Sequence, residues 1–311
     1  MPAFSPRYHL AHRDSSLRTK TRQALAQLSC CTLCPRCCRV DRTAGEKGYC
    51  RTGTHAVVAS YHAHFGEEAP LVGKNGSGTI FFSHCNLLCN FCQNFDISHE
   101  GEGYELSAPE LAQIMLSLQA AGCHNINLVT PSHVVPQILS ALSLAVESGL
   151  EIPLVYNSSG YDSVETLEVL DGVIDIYMPD FKFWDASIAQ LTCRAPDYPE
   201  VARKALVEMH RQVGDLTLDA HGIAMNGLLI RHLVLPCDLA GTDRITAFIA
   251  EKISKNTYFN IMNQYRPCGR ASEVESMARS VTEEEYTRAV EMAHKVGLQR
   301  LDRPRRVFQL Y

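Results

Sequence analysis

The sequence predicts an α/β protein whose main body is a partial (β/α)6 barrel of the TIM type. Six short apolar stretches alternate with amphipathic helical stretches, and polar residues gather just after the apolar ones. Apolar strands separated by helices are typical of a parallel sheet that is covered on both faces. Six units are too few for a closed eight-stranded barrel, so we expect an open, partial one. A cysteine-rich segment before the first barrel strand is predicted to be a metal-binding extension.

The chain divides into three predicted segments. Residues 1–29 form an arm with a helix from Ser16 to about Gln27, residues 30–78 are the cysteine-rich extension, and residues 79–311 are the barrel. The best strand of the extension is Ala56–His62. The predicted barrel strands, each an apolar run, are Thr79–Ser83, Asn125–Thr130, Ile152–Tyr156, Val173–Met178, Gly227–Leu235 and Thr257–Met262.

Helices are predicted from their start and stop signals as well as from their periodicity. Ser107 is an N-cap with Pro109 and Glu110 in the first turn behind it, and Gly149 ends the second barrel helix. The predicted barrel helices are Ser107–Ala121, Val134–Ser148, Ser163–Leu170, Pro199–Gln212, Asp243–Ser254 and Thr282–Lys295.

The overall composition excludes several classes of protein. Of the 311 residues, 46% are hydrophobic and 20% are charged, and the net charge is −5. These values argue against disorder and against a strongly cationic nucleic-acid surface. No stretch reaches the roughly 20 uncharged apolar residues of a membrane span, and the N-terminus lacks the apolar core of a signal peptide. We therefore expect a cytoplasmic protein without membrane or nucleic-acid partners.

Three closely spaced cysteines follow the first barrel strand. Cys85, Cys89 and Cys92 have the spacing C-x3-C-x2-C. Thiolates hold iron–sulfur clusters, and three of them in one loop would leave one iron of a [4Fe–4S] cluster open to a substrate or cofactor. Two other interpretations are three buried thiols without metal and a zinc site completed by His84 or His99. The position at the end of a strand favours the cluster, because parallel α/β folds bind ligands there.

The motif Cys85-x3-Cys89-x-Phe91-Cys92 resembles the cluster motif of the radical S-adenosylmethionine (SAM) superfamily. The resemblance covers nearly the whole chain after residue 54 and extends to homologues of pyruvate formate-lyase activating enzyme, in the PflX-like branch. The stretches that carry it are GSGTIFFSHCNLLCNFCQN, VTPSH, YNSSGY, DIYMPDFKFWD, RQVG and LLIRHLVLP. It implies a [4Fe–4S] cluster on the three cysteines, with SAM chelating the fourth iron. It further implies that the reduced cluster cleaves SAM to methionine and a 5′-deoxyadenosyl radical, which abstracts a hydrogen atom.

The same resemblance implies a set of SAM-binding residues at the strand ends. Asp180 and Lys182 match the activases' Asp-Leu-Lys motif, and Arg231 matches an arginine whose planar fork would bind the SAM carboxylate. The chain departs from the activases where their Gly-Gly-Glu stretch becomes Thr130-Pro-Ser-His133 and their Asp-Thr-Asn stretch becomes Asn157-Ser-Ser159. The implied SAM-binding residues are Phe91, Thr130, Ser132, His133, Asn157, Ser159, Asp180, Lys182 and Arg231. His133 can replace the activases' glutamate only if it is neutral and accepts a hydrogen bond.

Six further cysteines lie within 21 residues of the extension, which we call the cysteine knot. They are Cys30, Cys31, Cys34, Cys37, Cys38 and Cys50. The subset that resembles the N-terminal motif of the PflX-like group is Cys31, Cys34, Cys38 and Cys50. Four thiolates at this spacing suit structural zinc or a second iron–sulfur cluster, and both remain open. A third interpretation, thiols without metal, would leave the cysteines prone to oxidation.

The leading functional hypothesis is a radical SAM enzyme that abstracts hydrogen from a protein or peptide, as the activases of glycyl-radical enzymes do. Its electron would come from a reductant such as flavodoxin or ferredoxin. One alternative is a radical SAM enzyme that modifies a small molecule, a side chain or RNA. Another class is a non-enzymatic iron–sulfur protein for electron transfer or metal binding. Four scattered cysteines, Cys123, Cys193, Cys237 and Cys268, are predicted to be small buried residues, with a site role left open for Cys268 at the end of the sixth strand.

Overall fold

A computed structural model describes residues 4–302 and has a mixed α/β fold around a nine-stranded sheet. Residues 1–3 and 303–311, at the outer ends of the first and third predicted segments, lie outside the described part. The strands are β1 (Ala56–His64), β2 (Ser77–Phe82), β3 (Tyr104–Leu106), β4 (Ile126–Val129), β5 (Leu154–Ser158), β6 (Ile176–Pro179), β7 (Thr217–Leu218), β8 (Ala224–Leu233) and β9 (Tyr258–Met262). The α-helices are α1 (Arg7–Arg13), α2 (Ser16–Ala26), α3 (Ala69–Val72), α4 (Ala108–Ala120), α5 (Val135–Glu147), α6 (Val164–Leu170), α7 (Ala186–Cys193), α8 (Tyr198–Val213), α9 (Thr242–Phe248) and α10 (Glu283–Lys295).

The six strands predicted for the barrel are present, and each pairs in parallel with the next. Their spatial order is β2, β4, β5, β6, β8 and β9. Strand β1 pairs antiparallel with β2 and with the short edge strand β3, and β7 pairs antiparallel with β8. The central sheet is therefore mostly parallel, which is consistent with a partial TIM-type fold. The division of the chain into three segments stays a prediction.

The two faces of the sheet carry different apolar cores. Side chains that face the helices, such as Tyr156 and Ile230, belong to one large core. Their alternate neighbours Val155 and Leu229 belong to a smaller core on the other face, where Leu71 of α3 packs against them. Because successive side chains of a strand point to opposite faces, the short helix α3 covers the face that the long helices leave open.

Most helices lie where the sequence predicts them, and the caps explain why. Helix α4 begins with the predicted Ser107 cap, whose hydroxyl and Glu110 form a capping box. Helices α1 and α7 are absent from the sequence-based prediction. In α1 the Tyr8 hydroxyl donates to the carbonyl of Ile152 at 2.8 Å, so tertiary contacts stabilise a helix of only seven residues. Within residues 4–302 every helix is too short or too polar to cross a bilayer.

Candidate functional site

The three predicted cluster cysteines lie in the loop between β2 and β3. Left-handed backbone at His84 (φ 68°) and Leu88 (φ 54°) turns this loop on itself, which is uncommon for residues other than glycine. Cys89 is buried, and Cys85 and Cys92 are half-buried. The loop therefore holds three thiols away from solvent at the carboxyl end of the first barrel strand.

Polar donors point at the sulfurs of this loop. The Leu87 N–H donates to Cys85 Sγ at 3.3 Å, and the Ser98 hydroxyl donates to Cys92 Sγ at 3.2 Å. Burial, reinforced by the neighbouring thiols, raises the pKa of Cys85 to about 12, and burial also raises the pKa of Cys92. Without a metal these thiols are protonated at neutral pH, whereas a metal would bind them as thiolates.

A fourth thiol, that of Cys193 at the end of α7, lies beside the loop. Its S–H donates to Cys89 Sγ at 3.3 Å, and the Asn90 N–H donates to the carbonyl of Thr192 at 2.9 Å. The neighbouring Cys193 side chain, together with burial, raises the pKa of Cys89, and the charge of Lys182 opposes them. From the sequence Cys193 is predicted only to pack in the core, since its contact with Cys89 spans 104 residues and leaves no spacing motif.

The other scattered cysteines are not all buried as predicted. Cys123 is buried and Cys268 is half-buried, but Cys237 is exposed, so its predicted burial is wrong. Cys237 lies in a left-handed turn after β8, where its N–H donates to a carboxylate oxygen of Glu285 at 2.7 Å. That turn holds the side chain on the surface even though a strand end precedes it.

Four predicted SAM-binding residues form a half-buried charged network at the ends of β5, β6 and β8. Asp180 accepts from Lys182 Nζ at 2.6 Å with one oxygen and from Arg231 Nε at 2.7 Å with the other. Arg231 Nη2 donates to Asn157 Oδ1 at 2.7 Å. Burial alone would raise the pKa of Asp180, but Arg231 and Lys182 hold it below its usual value. The carboxylate is therefore ionised at neutral pH.

Glu67 joins this network although the sequence analysis does not select it. Its carboxylate lies 3.6 Å from Arg231 Nη1, and its side chain is 9% exposed. Burial raises its pKa to about 7 against the opposing charge of Arg231. Glu67 lies in the turn between β1 and α3, outside the predicted barrel pattern. In the sequence, the feature that marks this position is a pair of acidic residues immediately before Ala69-Pro70.

The charged network and the three-cysteine loop are neighbours. Burial alone would lower the pKa of Lys182, but Asp180 and the thiol of Cys89 raise it. The Tyr198 hydroxyl accepts from the Lys182 N–H at 2.8 Å and lies 2.9 Å from the carbonyl of Ser159. Lys182 thus pairs with a carboxylate on the side of the network that lies near Cys89.

The remaining residues of the predicted SAM set have different surroundings. The Thr130 N–H donates to the carbonyl of Asn157 at 2.9 Å, so Thr130 borders the network. Phe91 is buried, with its ring edge-on to that of Phe183 at 5.8 Å. Ser132 is also buried but makes no hydrogen bond to Asp180, Lys182 or Arg231.

His133 lies on the side of the cysteine knot. Its Nε2 is 3.0 Å from the carbonyl of Ser83, and burial lowers its pKa to about 3. A neutral ring that donates from Nε2 keeps a lone pair on Nδ1, and Nδ1 is buried without a partner in the described part of the chain. His133 is therefore able to accept a hydrogen bond as a neutral ring, which is what replacement of the activases' glutamate requires. Its side chain, however, lines the cavity of the cysteine knot.

The four predicted ligands of the cysteine knot converge on one small cavity. Its lining residues include Cys31, Cys34, Cys38, Cys50, Arg42 and His133. The two knot cysteines outside the predicted set, Cys30 and Cys37, are exposed. Burial and the three neighbouring thiols raise the pKa of Cys34 to about 12 although a backbone hydrogen bond opposes them. The structure thus gathers the same four thiols that the resemblance selects.

Local contacts close the knot around Cys38. The Tyr49 N–H donates to Cys38 Sγ at 3.3 Å. A Cβ on Gly48 would lie 2.8 Å from both Cβ and Sγ of Cys38, so only glycine permits this approach without a shift. Gly48 therefore allows the segment of Cys50 to return to the other cysteines.

Arg42 is a buried cation beside these thiols. It is 1% exposed; its guanidinium donates to the carbonyls of Gly53 at 2.8 Å and His133 at 2.9 Å and lies 4.0 Å from Cys31 Sγ. No Asp or Glu within residues 4–302 forms an ion pair with it. An uncompensated buried charge is costly, so its surroundings call for a negative partner.

Outside the three-cysteine loop lies a basic cavity of about 380 Å³. Arg51, Arg194, Arg270 and His99 line it, and none of its lining residues is acidic. Leu88 of the loop and Tyr49 of the knot complete its wall. In a chain with a net charge of −5, this is a local concentration of positive charge beside the loop.

Both sets of cysteines suit a metal by the chemistry of their donors. Within the described residues, no group of three or more His, Cys, Asp or Glu side chains is already arranged to hold a metal ion. The thiol groups would therefore have to move closer together when a metal ion binds. Buried thiols that receive N–H, O–H or S–H hydrogen bonds are nevertheless the environment of thiolate ligands, whose outer contacts orient and tune them.

No protein-family model matches the chain. The structure resembles the crystal structure of HydG, a maturase of the [FeFe]-hydrogenase, with a TM-score of 0.45 and 12% identity over 70% of this chain. The chain spans about half the length of that HydG chain, 48% of it. At this level the likeness carries no conclusion about chemistry.

A protein of Methanocaldococcus jannaschii, "Uncharacterized protein MJ0674", is similar in sequence. The two are 32% identical over 280 residues, which cover 86% of this chain and 75% of the archaeal protein. Identity of this extent over most of both chains establishes common family membership. The chain belongs to the family of MJ0674.

Proposed function

We propose that this protein is a radical SAM enzyme. The observation that carries the proposal is the proximity of the three-cysteine loop to the network of Asp180, Lys182 and Arg231 at the carboxyl ends of parallel strands, which is close enough for Cys89 and Lys182 to shift each other's pKa. In parallel α/β folds, this edge of the sheet is where ligands bind. When bound, a [4Fe–4S] cluster and SAM would supply the electron and the 5′-deoxyadenosyl radical with which such enzymes abstract hydrogen.

The residues of the loop divide into ligands and donors in this proposal. Cys85, Cys89 and Cys92 would hold the cluster as thiolates. The Leu87 N–H and the Ser98 hydroxyl already point at two of these sulfurs and would stabilise the negative charge they acquire. The protein's own contribution is to bury the thiols and to supply these donors before a metal arrives.

The charged network would bind the amino-acid part of SAM. Arg231 uses Nε for Asp180 and one N–H of Nη2 for Asn157, which leaves further N–H groups for a carboxylate. Because Asn157 Oδ1 accepts from Arg231, its amide NH2 is free to donate to a ligand oxygen. Asp180 holds Lys182 by an ion pair and so fixes the positive end of the site.

In the cysteine knot we propose a metal bound by Cys31, Cys34, Cys38 and Cys50, either structural zinc or a second iron–sulfur cluster. The buried, unpaired Arg42 supports a metal over free thiols. Protonated thiols are neutral and would leave its charge uncompensated, whereas four thiolates around a divalent ion carry a net negative charge. Zinc and an iron–sulfur cluster both meet this requirement, so the charge of Arg42 is consistent with either.

The proposed hydrogen donor is a protein or peptide, and the proposed reductant is an acidic protein such as flavodoxin or ferredoxin. A macromolecular substrate is supported by the open sheet. Its strand order begins at β3, and β3 does not pair with β9, so the strands do not close into a barrel. For the reductant, support comes from the basic cavity, because complementary charge accelerates encounter. Raising the salt concentration should slow reduction by such a donor and leave reduction by dithionite unchanged.

The proposed function is tested by anaerobic reconstitution with iron and sulfide, followed by dithionite and SAM. We expect release of 5′-deoxyadenosine, measured by chromatography. Cys89→Ala should abolish the release, because it removes a cluster ligand. Cys123→Ala, a buried cysteine that contacts neither site, is the matched control and should retain it. A loaded cluster with no release of 5′-deoxyadenosine would favour a non-enzymatic electron-transfer protein.

A further inference from the structure

One guanidinium connects the cysteine knot to the three-cysteine loop. Arg36 lies in the knot between Cys34 and Cys37. Its Nε donates to the carbonyl of Asn86 at 2.9 Å, and its Nη2 is 3.3 Å from the carbonyl of Leu87. Both carbonyls belong to the turn that leads from Cys85 to Cys89.

The same side chain also holds the end of α7. Nη2 donates to the carbonyl of Cys193 at 2.9 Å, and Nη1 donates to the carbonyl of Arg194 at 2.7 Å. Its guanidinium lies over the ring of Tyr49, 3.8 Å from the ring centroid. Tyr49 precedes Cys50, so the last segment of the knot also packs on Arg36.

The knot itself has little regular structure to hold Arg36 in place. Its internal backbone hydrogen bonds include those from Cys31 to Val40 at 3.0 Å and from Arg39 to Cys31 at 2.9 Å. Left-handed backbone at Cys37 (φ 45°) and Arg39 (φ 57°) costs free energy that other interactions must offset. In small metal sites of this kind, metal binding contributes folding free energy directly.

We propose that Arg36 is a positioning residue through which a metal in the cysteine knot fixes the three-cysteine loop. The inference rests on the proposed metal in the knot and adds a function for it, which is to order the neighbouring site. A lysine cannot replace Arg36, because an ammonium lacks the planar fork that reaches four carbonyls and packs on Tyr49. Loss of these bonds would leave three partly buried carbonyls unpaired and let the loop open.

The test measures how accessible Cys89 is, and it requires neither cluster nor SAM. Protein without iron is prepared with and without one equivalent of zinc, and alkylation of Cys89 by iodoacetamide is followed by mass spectrometry. In the wild type, zinc should slow alkylation about tenfold, which corresponds to about 1.4 kcal/mol of closing free energy. In Arg36→Lys, the knot should still bind zinc, but zinc should no longer protect Cys89.

Two further variants separate the knot from other effects of zinc. Arg39→Lys makes the same change at an exposed arginine of the same segment and should behave as the wild type. Cys31→Ala removes a knot ligand and should abolish protection by zinc. If zinc protected Cys89 equally in the wild type and in Arg36→Lys, or did not protect it in the wild type, the inference would be overturned. Neither result would affect the release of 5′-deoxyadenosine, on which the proposed function depends.

Discussion

Cys193 and Glu67 lie in the candidate site, although neither is predicted there from the sequence. Each reaches the site from a distant part of the chain, 104 residues from Cys89 in one case and 164 residues from Arg231 in the other. Spacing motifs reveal candidate ligands that are close in sequence, such as Cys85 and Cys89, because a short loop must bring them together. Contacts made only by tertiary folding leave no such spacing, so neither residue could be selected from the sequence alone.

The hydrogen bond from Cys193 should tune a cluster bound in the loop. Donors to cluster sulfurs stabilise the reduced, more negative state and therefore raise the reduction potential. We expect Cys193→Ala to make the midpoint potential more negative by about 40 mV, the one-electron equivalent of a hydrogen bond of about 1 kcal/mol. Potentiometric titration followed by electron paramagnetic resonance measures it.

Two controls accompany this prediction. Cys193→Ser retains an O–H donor and should keep a potential close to that of the wild type. Cys123→Ala removes a buried thiol that makes no contact with the loop, so it should leave the potential unchanged. A potential for Cys193→Ala equal to that of the wild type would show that this contact does not act on the cluster.

At the scale of elements, strands were easier to predict than the segments between them. Strands β4 and β5 are short apolar runs whose burial follows from their composition. Helix α7 was missed because it has few polar residues that mark a helix face, although Asp185 caps it by accepting from the backbone of Ser187 and Ile188. In the cysteine knot the candidate ligand set follows from a resemblance, whereas nothing in the sequence marks Arg36 and Arg42, because arginine is usually a surface residue.

The knot also depends on the close approach of Gly48 to Cys38. A methyl group at position 48 would contact Cys38 Sγ at 2.8 Å and would displace it. We expect Gly48→Ala to weaken metal binding in the knot about tenfold, measured by competition with a chromogenic chelator. Gly53→Ala is the matched control, because a Cβ at that position meets open space. Equal metal affinity in the two variants would contradict this account of the knot.

At the scale of the whole molecule, periodicity predicted the six parallel strands and the helices between them, but not how the other face of the sheet is covered. Helix α3 has only four residues, too few for a periodic pattern, yet Leu71 packs against the strands and Glu67 reaches the charged network just before it. Charged side chains can occupy the face of the sheet that α3 covers, because Arg231 and Asp180 form an ion pair there. One face of the sheet thus carries both an apolar cluster and several charged side chains. Because carboxyl groups are among them, the free energy of unfolding should depend on pH.

Glu67 and Asp175 are the buried carboxyls that should set this dependence, because burial raises the pKa of each to about 7. Their ordinary values are 4.5 and 3.8, so the folded state binds their protons more tightly than the unfolded state does. The resulting stabilisation is complete below about pH 4 and is lost as the pH rises through 7. Each group can contribute a slope of at most about 1.4 kcal/mol per pH unit.

Comparison of Glu67→Gln with the wild type isolates one of these groups. Glutamine has no proton to lose, so the wild type should become less stable relative to Glu67→Gln as the pH rises from 5 to 8. Urea unfolding at several pH values, followed by circular dichroism, measures the free energy of unfolding of both proteins. Glu105→Gln, at an exposed carboxyl on β3, should run parallel to the wild type. Parallel curves for Glu67→Gln as well would mean that Glu67 is ionised in the folded protein throughout this range, with Arg231 outweighing its burial.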